Sequence, residues 1–263
     1  MNLSKPSTCL FGAIAGDMIG STHEWKACTD PRFALFSKSS KFTDDSALTI
    51  AVADAILNQR GYGQAIVEYA RRYPKAGYGS YFRRWLKEDG VEPYNSFGNG
   101  SAMRVSPVAW AFNTEEEILR ESERSAAVTH NHPEGIKGAQ SVALAIYLAH
   151  TGTGKDQIRK EIETRFGYNL NRTLDEIRPT YQWDSTCPGS VPESIVAFLE
   201  SADFESTVRN AILLGGDADT MTAIAGSIAE AYYGVPEEIV AEVRKRLPAD
   251  LLEVVERFQI YAR

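Results

Sequence analysis

Residues 215–220 read Gly215-Gly216-Asp217-Ala218-Asp219-Thr220 and lead into an apolar, alanine-rich run that carries Ala223, Ile224, Ile228, Ala229 and Tyr232. That recurrence at three to five residues is the mark of a helix with one buried face. A second stretch repeats the device far upstream. Thr43-Asp44-Asp45 is followed by Ala47, Leu48, Ala51, Val52, Ala55 and Ile56. Asp and Thr at the entry to an apolar run signal a helix N-terminus, because their oxygens accept from backbone N–H groups of the first turn. Capping needs one acceptor per helix, so each triplet carries a surplus charged side chain beside hydrophobic sequence. If the two helix starts meet, four carboxylates and two hydroxyls crowd together. At ~4 Å and an effective dielectric near 20, each carboxylate pair repels by about 4 kcal/mol. Such a cluster needs cations, and an all-oxygen donor set suits Mg²⁺, Mn²⁺ or Ca²⁺ rather than zinc. Read one triplet at a time, ordinary capping accounts for either.

The rest of the chain has the same helical period. Further helices are expected near 9–19, 63–73, 79–88, 115–128, 134–150, 154–166, 191–201, 204–214, 236–247 and 249–261. Tyr81, Phe82, Trp85 and Leu86 mark one face, and Ile158, Ile162 and Phe166 repeat every four residues. No segment alternates as a strand would. The expectation is an all-α fold, a single compact multi-helix domain over residues 1–263, with two long polar stretches at about 20–42 and 167–190. Long loops in a compact domain often line sites. Gly12, Gly16 and Gly20 recur every four residues in the first helix and open a groove for close helix contact. Asp17 lies on that small-residue surface, where it reads as a buried, hydrogen-bonded structural acid.

Bulk properties narrow the function classes. A chain of 263 residues buries roughly 70–75% of its extended surface without staples. A net charge of −7 argues against a nucleic-acid surface, which requires a basic stripe. The three cysteines, Cys9, Cys28 and Cys187, form no CxxC pair and point to a reducing compartment. The apolar run from Cys9 to Ile19 is short, contains Asp17 and precedes no cleavage site, so it does not read as a signal peptide. No apolar stretch reaches 18 residues. A soluble, cytoplasmic monomer without a membrane or nucleic-acid partner is expected.

Three polar signals remain. Gly98-Asn99-Gly100-Ser101-Ala102-Met103-Arg104 is a glycine-rich turn leading into Val105, Val108, Ala109 and Trp110. Its glycines let backbone N–H groups face an anion or sugar, although a plain loop has the same pattern. Arg104 reaches a phosphate or pairs with an acid. Thr129-His130-Asn131-His132-Pro133 reads either as a helix start capped by Thr129 with two surface histidines, or as a wall for a purine. With no third nitrogen or sulfur ligand at a typical spacing, it is a poor zinc site. Glu24, within His23-Glu24-Trp25, is a carboxylate beside an aromatic ring, an environment that suits a general acid or base.

Taken in order, these segments resemble the ADP-ribosylglycohydrolase family. The matching residues are Gly16-Asp17-Met18-Ile19-Gly20 with Glu24, Phe42-Thr43-Asp44-Asp45-Ser46, and Gly98 to Arg104. Thr129-His130 with Gly135 and Gly138 follow, then Val191-Pro192-Glu193-Ser194 and Gly215 to Thr220. The resemblance runs from about residue 9 to residue 234. It implies an all-α fold with two Mg²⁺ or Mn²⁺ ions at the base of an ADP-ribose cleft, held by Thr43, Asp44, Asp45, Asp217, Asp219 and Thr220. It implies Glu24 as the catalytic carboxylate and Asp17 as a supporting residue. Substrate is implied at Gly98, Asn99, Gly100, Ser101, Ala102 and Met103, with the diphosphate and distal ribose in the turn and His130 near the adenosine half. The implied reaction is hydrolysis of the glycosidic bond between ADP-ribose and an acceptor on a protein or a small molecule. Arginine is favoured, with serine and O-acyl groups as alternatives. A non-catalytic ADP-ribose binder and a dinuclear phosphohydrolase are the competing readings. Residues 167–190, with Tyr181, Trp183 and Cys187, find no residue-by-residue match.

Overall fold

A computed structural model describes residues 8–24 and 28–262. Among them the chain forms fifteen α-helices and no strand. They are α1 (Phe11–Gly20), α2 (Asp44–Leu57), α3 (Tyr62–Arg72), α4 (Ser80–Lys87), α5 (Gly100–Met103), α6 (Ser106–Ala111), α7 (Glu115–Ala127) and α8 (Pro133–His150). After these come α9 (Lys155–Phe166), α10 (Leu174–Ile177), α11 (Cys187–Leu199), α12 (Phe204–Leu214), α13 (Ala218–Tyr233), α14 (Glu237–Arg246) and α15 (Ala249–Tyr261). The all-α expectation holds. No helix among the described residues is long and apolar enough to cross a membrane.

Helix α13 is the hub, packed against α1, α8, α11 and α12. Helix α2 forms a second centre against α3, α6 and α15, and α8 a third against α5, α6, α7, α9 and α11. The sequence spacing predicts one buried face for α2 and α13, yet Asp45–Ile56 and Ala218–Ala231 are buried all round. Their hydroxyls are satisfied internally instead of by water. Thr222 Oγ1 donates to the Ala218 carbonyl (2.5 Å) and Ser227 Oγ to that of Ile224 (2.7 Å). Thr49 donates to Met103 (3.3 Å). Hydroxyls that bond their own helix make it possible to bury every face.

The groove on α1 is filled by α13. A Cβ added at Gly12, Gly16 or Gly20 would overlap the α13 backbone at Gly226, Thr222 and Ala218 respectively. The two helices therefore touch backbone to backbone. This contact brings Asp17, near the end of α1, to the start of α13.

Three short helices and the start of α11 differ from the sequence expectation. Gly100–Met103 and Ser106–Ala111 are helical turns instead of a plain loop and run, and at 4 and 6 residues they are too short to show a period. Helix α11 starts at Cys187, four residues before the expected 191, capped by the Thr186 side chain accepting from Gly189 N–H (3.2 Å). Cys187-Pro188-Gly189-Ser190 has no apolar pattern to reveal it. The polar stretch 167–190 also contains α10, closed by a capping box between Thr173 and Glu176.

Candidate active site

The site grows from Asp17. Its Oδ2 accepts from the backbone N–H of Thr43 (2.8 Å) and Ser46 (3.1 Å) and from the Ser46 hydroxyl. Its Oδ1 accepts from the Thr43 hydroxyl (2.7 Å). Four donors on one fully buried carboxylate pin the start of α2 to the end of α1. Thr43 is the N-cap of α2 and accepts from Asp45 N–H (3.3 Å). Because its proton goes to Asp17, a lone pair of Thr43 Oγ1 stays available.

Three helix termini then converge. Carboxylate oxygens of Asp17, Asp45 and Asp219 lie within 4.8 Å of one another, as do those of Glu24, Asp217 and Asp219. Thr220 Oγ1 donates across the site to Asp45 Oδ2 (3.5 Å). Asp44 stands outside both close groups but within electrostatic reach of Asp17, Asp217 and Glu24. The two triplets, 172 residues or more apart in the chain (217 − 45), do meet. Trp25, the ring expected beside Glu24, lies outside the described residues.

The cluster is electrostatically overloaded. Burial, followed by the charges of Asp17, Asp217 and Glu24 and opposed in part by a backbone N–H, pushes Asp44 up to about 7. Asp45 and Asp219 are pushed well above the carboxylate range, by burial first and neighbouring carboxylates second. Burial raises Asp17 and Asp217 against the hydrogen bonds that lower them. Asp45 Oδ1 is buried with no partner, an acceptor with no described donor facing it. An all-oxygen donor set, surplus negative charge and an orphaned carboxylate oxygen fit a hard divalent cation.

The glycine turn is clamped beside this cluster. Gly98 forms an isolated antiparallel bridge with Thr186. Asn99 N–H donates to Ser185 O (2.8 Å) and Cys187 N–H to Phe97 O (2.9 Å). Ser101 Oγ donates to Gly135 O (2.7 Å), and Ala102 and Met103 are buried. The Asn99 amide spans the turn and the acids, donating to Asp217 Oδ2 (2.8 Å) and Ser190 Oγ (3.1 Å). The unmatched stretch 167–190 thus braces the site. Tyr181 donates its hydroxyl to Gly189 O (2.9 Å), and its ring occupies the space a Cβ on Gly216 would need. Gly215 and Gly216 both have positive φ, 82° and 83°, which a side chain would strain. Sequence alone missed Tyr181, because nothing local ties it to Gly216.

Of the two readings of the histidines, the helix start capped by Thr129 with both rings at the surface does not hold. His132, not Thr129, is the N-cap of α8, its Nδ1 accepting from Glu134 N–H (3.1 Å). His130 is buried beneath the turn, its Nε2 3.5 Å from where a Gly98 Cβ would stand and 3.2 Å from that of Gly100. Burial, reinforced by the Arg104 charge, pushes His130 well below the usual imidazole range. Arg104 itself is fully buried and reaches no carboxylate among the described residues. Packing between α5, α7 and α8 decides these positions, and no local pattern records it.

Known proteins are similar to this chain in sequence or in fold. The model of the ADP-ribosylglycohydrolase family matches residues 3–263. ADP-ribosylhydrolase ARH3 of Homo sapiens is 26% identical over 316 residues, spanning 90% of this chain and 87% of that protein. ADP-ribosylarginine hydrolase Tri1 of Pseudomonas putida (strain GB-1) is 26% identical over 290 residues, spanning 92% and 74%. A solved structure described as an ADP-ribosylglycohydrolase-related protein complex superposes with a TM-score of 0.73 at 22% identity, covering 99% of this chain and 100% of the other. That last likeness concerns the fold alone.

Proposed function

Because the chain belongs to the ADP-ribosylglycohydrolase family, and is on that ground a hydrolase, we propose that it cleaves the glycosidic bond between ADP-ribose and an arginine side chain on a protein, releasing free ADP-ribose. The observation that carries this reading is the meeting of Thr43–Asp45, Asp217–Thr220 and Glu24 around one cluster of carboxylates. The acceptor rests on one support: the Pseudomonas putida relative, 26% identical to this chain, carries the arginine linkage in its name.

The reaction adds water across the bond from the anomeric carbon of ribose to the guanidinium nitrogen. That bond breaks, the water oxygen joins the carbon, and a water proton passes to the departing guanidine. Cleavage proceeds through an oxocarbenium-like transition state. Two divalent cations, Mg²⁺ or Mn²⁺, supply charge neutralisation, orientation of vicinal ribose hydroxyls and a more acidic water when bound. Thr43, Asp44, Asp45, Asp217, Asp219 and Thr220 hold them, with Asp17 fixing Thr43 and Asn99 fixing Asp217. Glu24, within 4.8 Å of Asp217 and Asp219, takes the proton from the attacking water and delivers it to the leaving nitrogen. The Gly98–Met103 turn receives the diphosphate and distal ribose, and His130 the adenosine half.

The test is product analysis on defined peptides bearing Arg-linked or Ser-linked ADP-ribose, with Mg²⁺, Mn²⁺ or EDTA. The reading expects free ADP-ribose from the Arg-linked peptide, dependent on cation. Release from the Ser-linked peptide alone would overturn the acceptor, and AMP as product would overturn glycosidic cleavage.

A further inference from the structure

Arg104 is the anomaly left over. It is fully buried, yet no carboxylate among the described residues pairs with it directly, and Asp44 acts on its charge only from a distance. Nη2 donates to the Ser125 carbonyl (3.2 Å) and the Thr129 hydroxyl (2.8 Å), while Nε and Nη1 have no partner among the described residues. Burial lowers it only to about 10, so it remains a cation at neutral pH. Burying such a group without a counter-charge is costly, which directs attention to what its contacts do.

A guanidinium carries donors only. Thr129 Oγ1 therefore receives the Nη2 hydrogen on one of its two lone pairs, and its own buried proton needs an acceptor. The acceptor is His130 Nδ1, 2.7 Å away. An imidazole that accepts at Nδ1 carries its proton on Nε2. Nε2 is the ring atom that faces Gly98 and Gly100. The direction of the chain, Arg104 to Thr129 to His130, is thus set by a guanidinium that cannot accept and by a buried hydroxyl that, among the described residues, meets no acceptor other than His130 Nδ1.

We propose that Arg104 is a positioning residue which, through Thr129, holds His130 as a neutral Nε2–H donor aimed at an acceptor atom of the ligand beside the glycine turn. Naming that ligand ADP-ribose rests on the function proposed above; the relay itself does not. The lowered proton affinity of His130 agrees with it, since the nearby cation opposes a second ring proton.

The experiment reads the tautomer of His130 by two-bond ¹H–¹⁵N correlation on the full, ligand-free chain at pH 7, followed by calorimetric titration of ADP-ribose. The wild type and Thr129→Ser, which keeps a hydroxyl, are expected to show a neutral ring with the proton on Nε2. Thr129→Val and Arg104→Met are expected to show the proton redistributed towards Nδ1. In Thr129→Val, ADP-ribose affinity is expected to fall about five- to tenfold, the worth of one misdirected hydrogen bond, with recovery in Thr129→Ser. If Arg104→Met fails to fold, the Thr129 pair decides. A wild-type ring protonated on Nδ1, or an unchanged Nε2–H ring in Thr129→Val, overturns the relay. No ADP-ribose binding by the wild type overturns the named ligand and leaves the tautomer result to judge the relay.

Discussion

Replacing Gly16 by Ala adds one methyl where α1 touches α13. The added carbon would overlap the Thr222 carbonyl oxygen and stand 2.5 Å from its carbon and 2.8 Å from Ala223 N. Every obstacle is backbone, so no side chain can rotate away. Restoring an ordinary 3.4 Å contact to the carbonyl carbon alone needs about 0.9 Å of separation (3.4 − 2.5), and the nearer oxygen requires more. Overpacking of this kind costs about 1–3 kcal/mol, and a rigid backbone contact belongs at the upper end. Alanine returns about 1 kcal/mol of helix propensity, so a net loss of about 2 kcal/mol is expected, or about 4–8 °C in Tm at this chain length. The same displacement moves Asp17 relative to Asp219, and about 1 Å exceeds the tolerance of a built site. Mn²⁺ affinity should therefore fall at least about tenfold. Urea unfolding and calorimetric Mn²⁺ titration measure the two effects. Gly63→Ala is the control: Gly63 lies within α3, and its new carbon would meet Val128 Cγ1 at 3.4 Å, so stability should rise by about 0.4–1 kcal/mol. Wild-type stability and cation affinity in Gly16→Ala would refute the claim that backbone contact between α1 and α13 sets the site.

Glu24→Gln should bind Mn²⁺ and ADP-ribose as the wild type does while turnover drops about 10²- to 10⁴-fold; undiminished turnover removes Glu24 from the chemistry. Glu230, fully buried and accepting from Gly12 N–H (2.9 Å), is pushed up from 4.5 to about 7, chiefly by burial. A folded-state value above the unfolded one stabilises below pH ~4.5 and loses that contribution as pH rises through about 7. In saturating Mg²⁺, Glu230→Gln should flatten the stability–pH curve between those limits by about 3 kcal/mol, read by urea melts; a parallel curve contradicts it. The raised acids of the cluster, Asp44 at about 7 among them, have the same sign. In EDTA, thermal stability should therefore fall as pH climbs from 4 to 7, and Mg²⁺ should reverse the slope; identical slopes with and without cation would contradict a charged cluster.

Helices α2 and α13 were legible because their starts are written locally, by Thr43 and the acids beside an apolar period. The groove at Gly12, Gly16 and Gly20 was legible for the same reason, although its occupant was not. Asp17 read as a structural acid, and its four hydrogen bonds agree. Its place among the carboxylates depends on a helix crossing some 200 residues away along the chain. For His130 the sequence left a surface ring and a ligand wall open, because burial beneath Gly98 and Gly100 is a tertiary fact. Tyr181 and Ser185 act by touching Gly216 and Asn99, contacts for which neither segment carries a period or cap. What stayed hidden was packing between distant segments.

The central claim is that three helix termini hold divalent cations. Anomalous diffraction from Mn²⁺-soaked crystals tests it most directly. The account predicts two peaks enclosed by Thr43, Asp44, Asp45, Asp217, Asp219 and Thr220, with Glu24 beside them. Bound Mn²⁺ elsewhere, and no density among these residues at saturating cation, would contradict it.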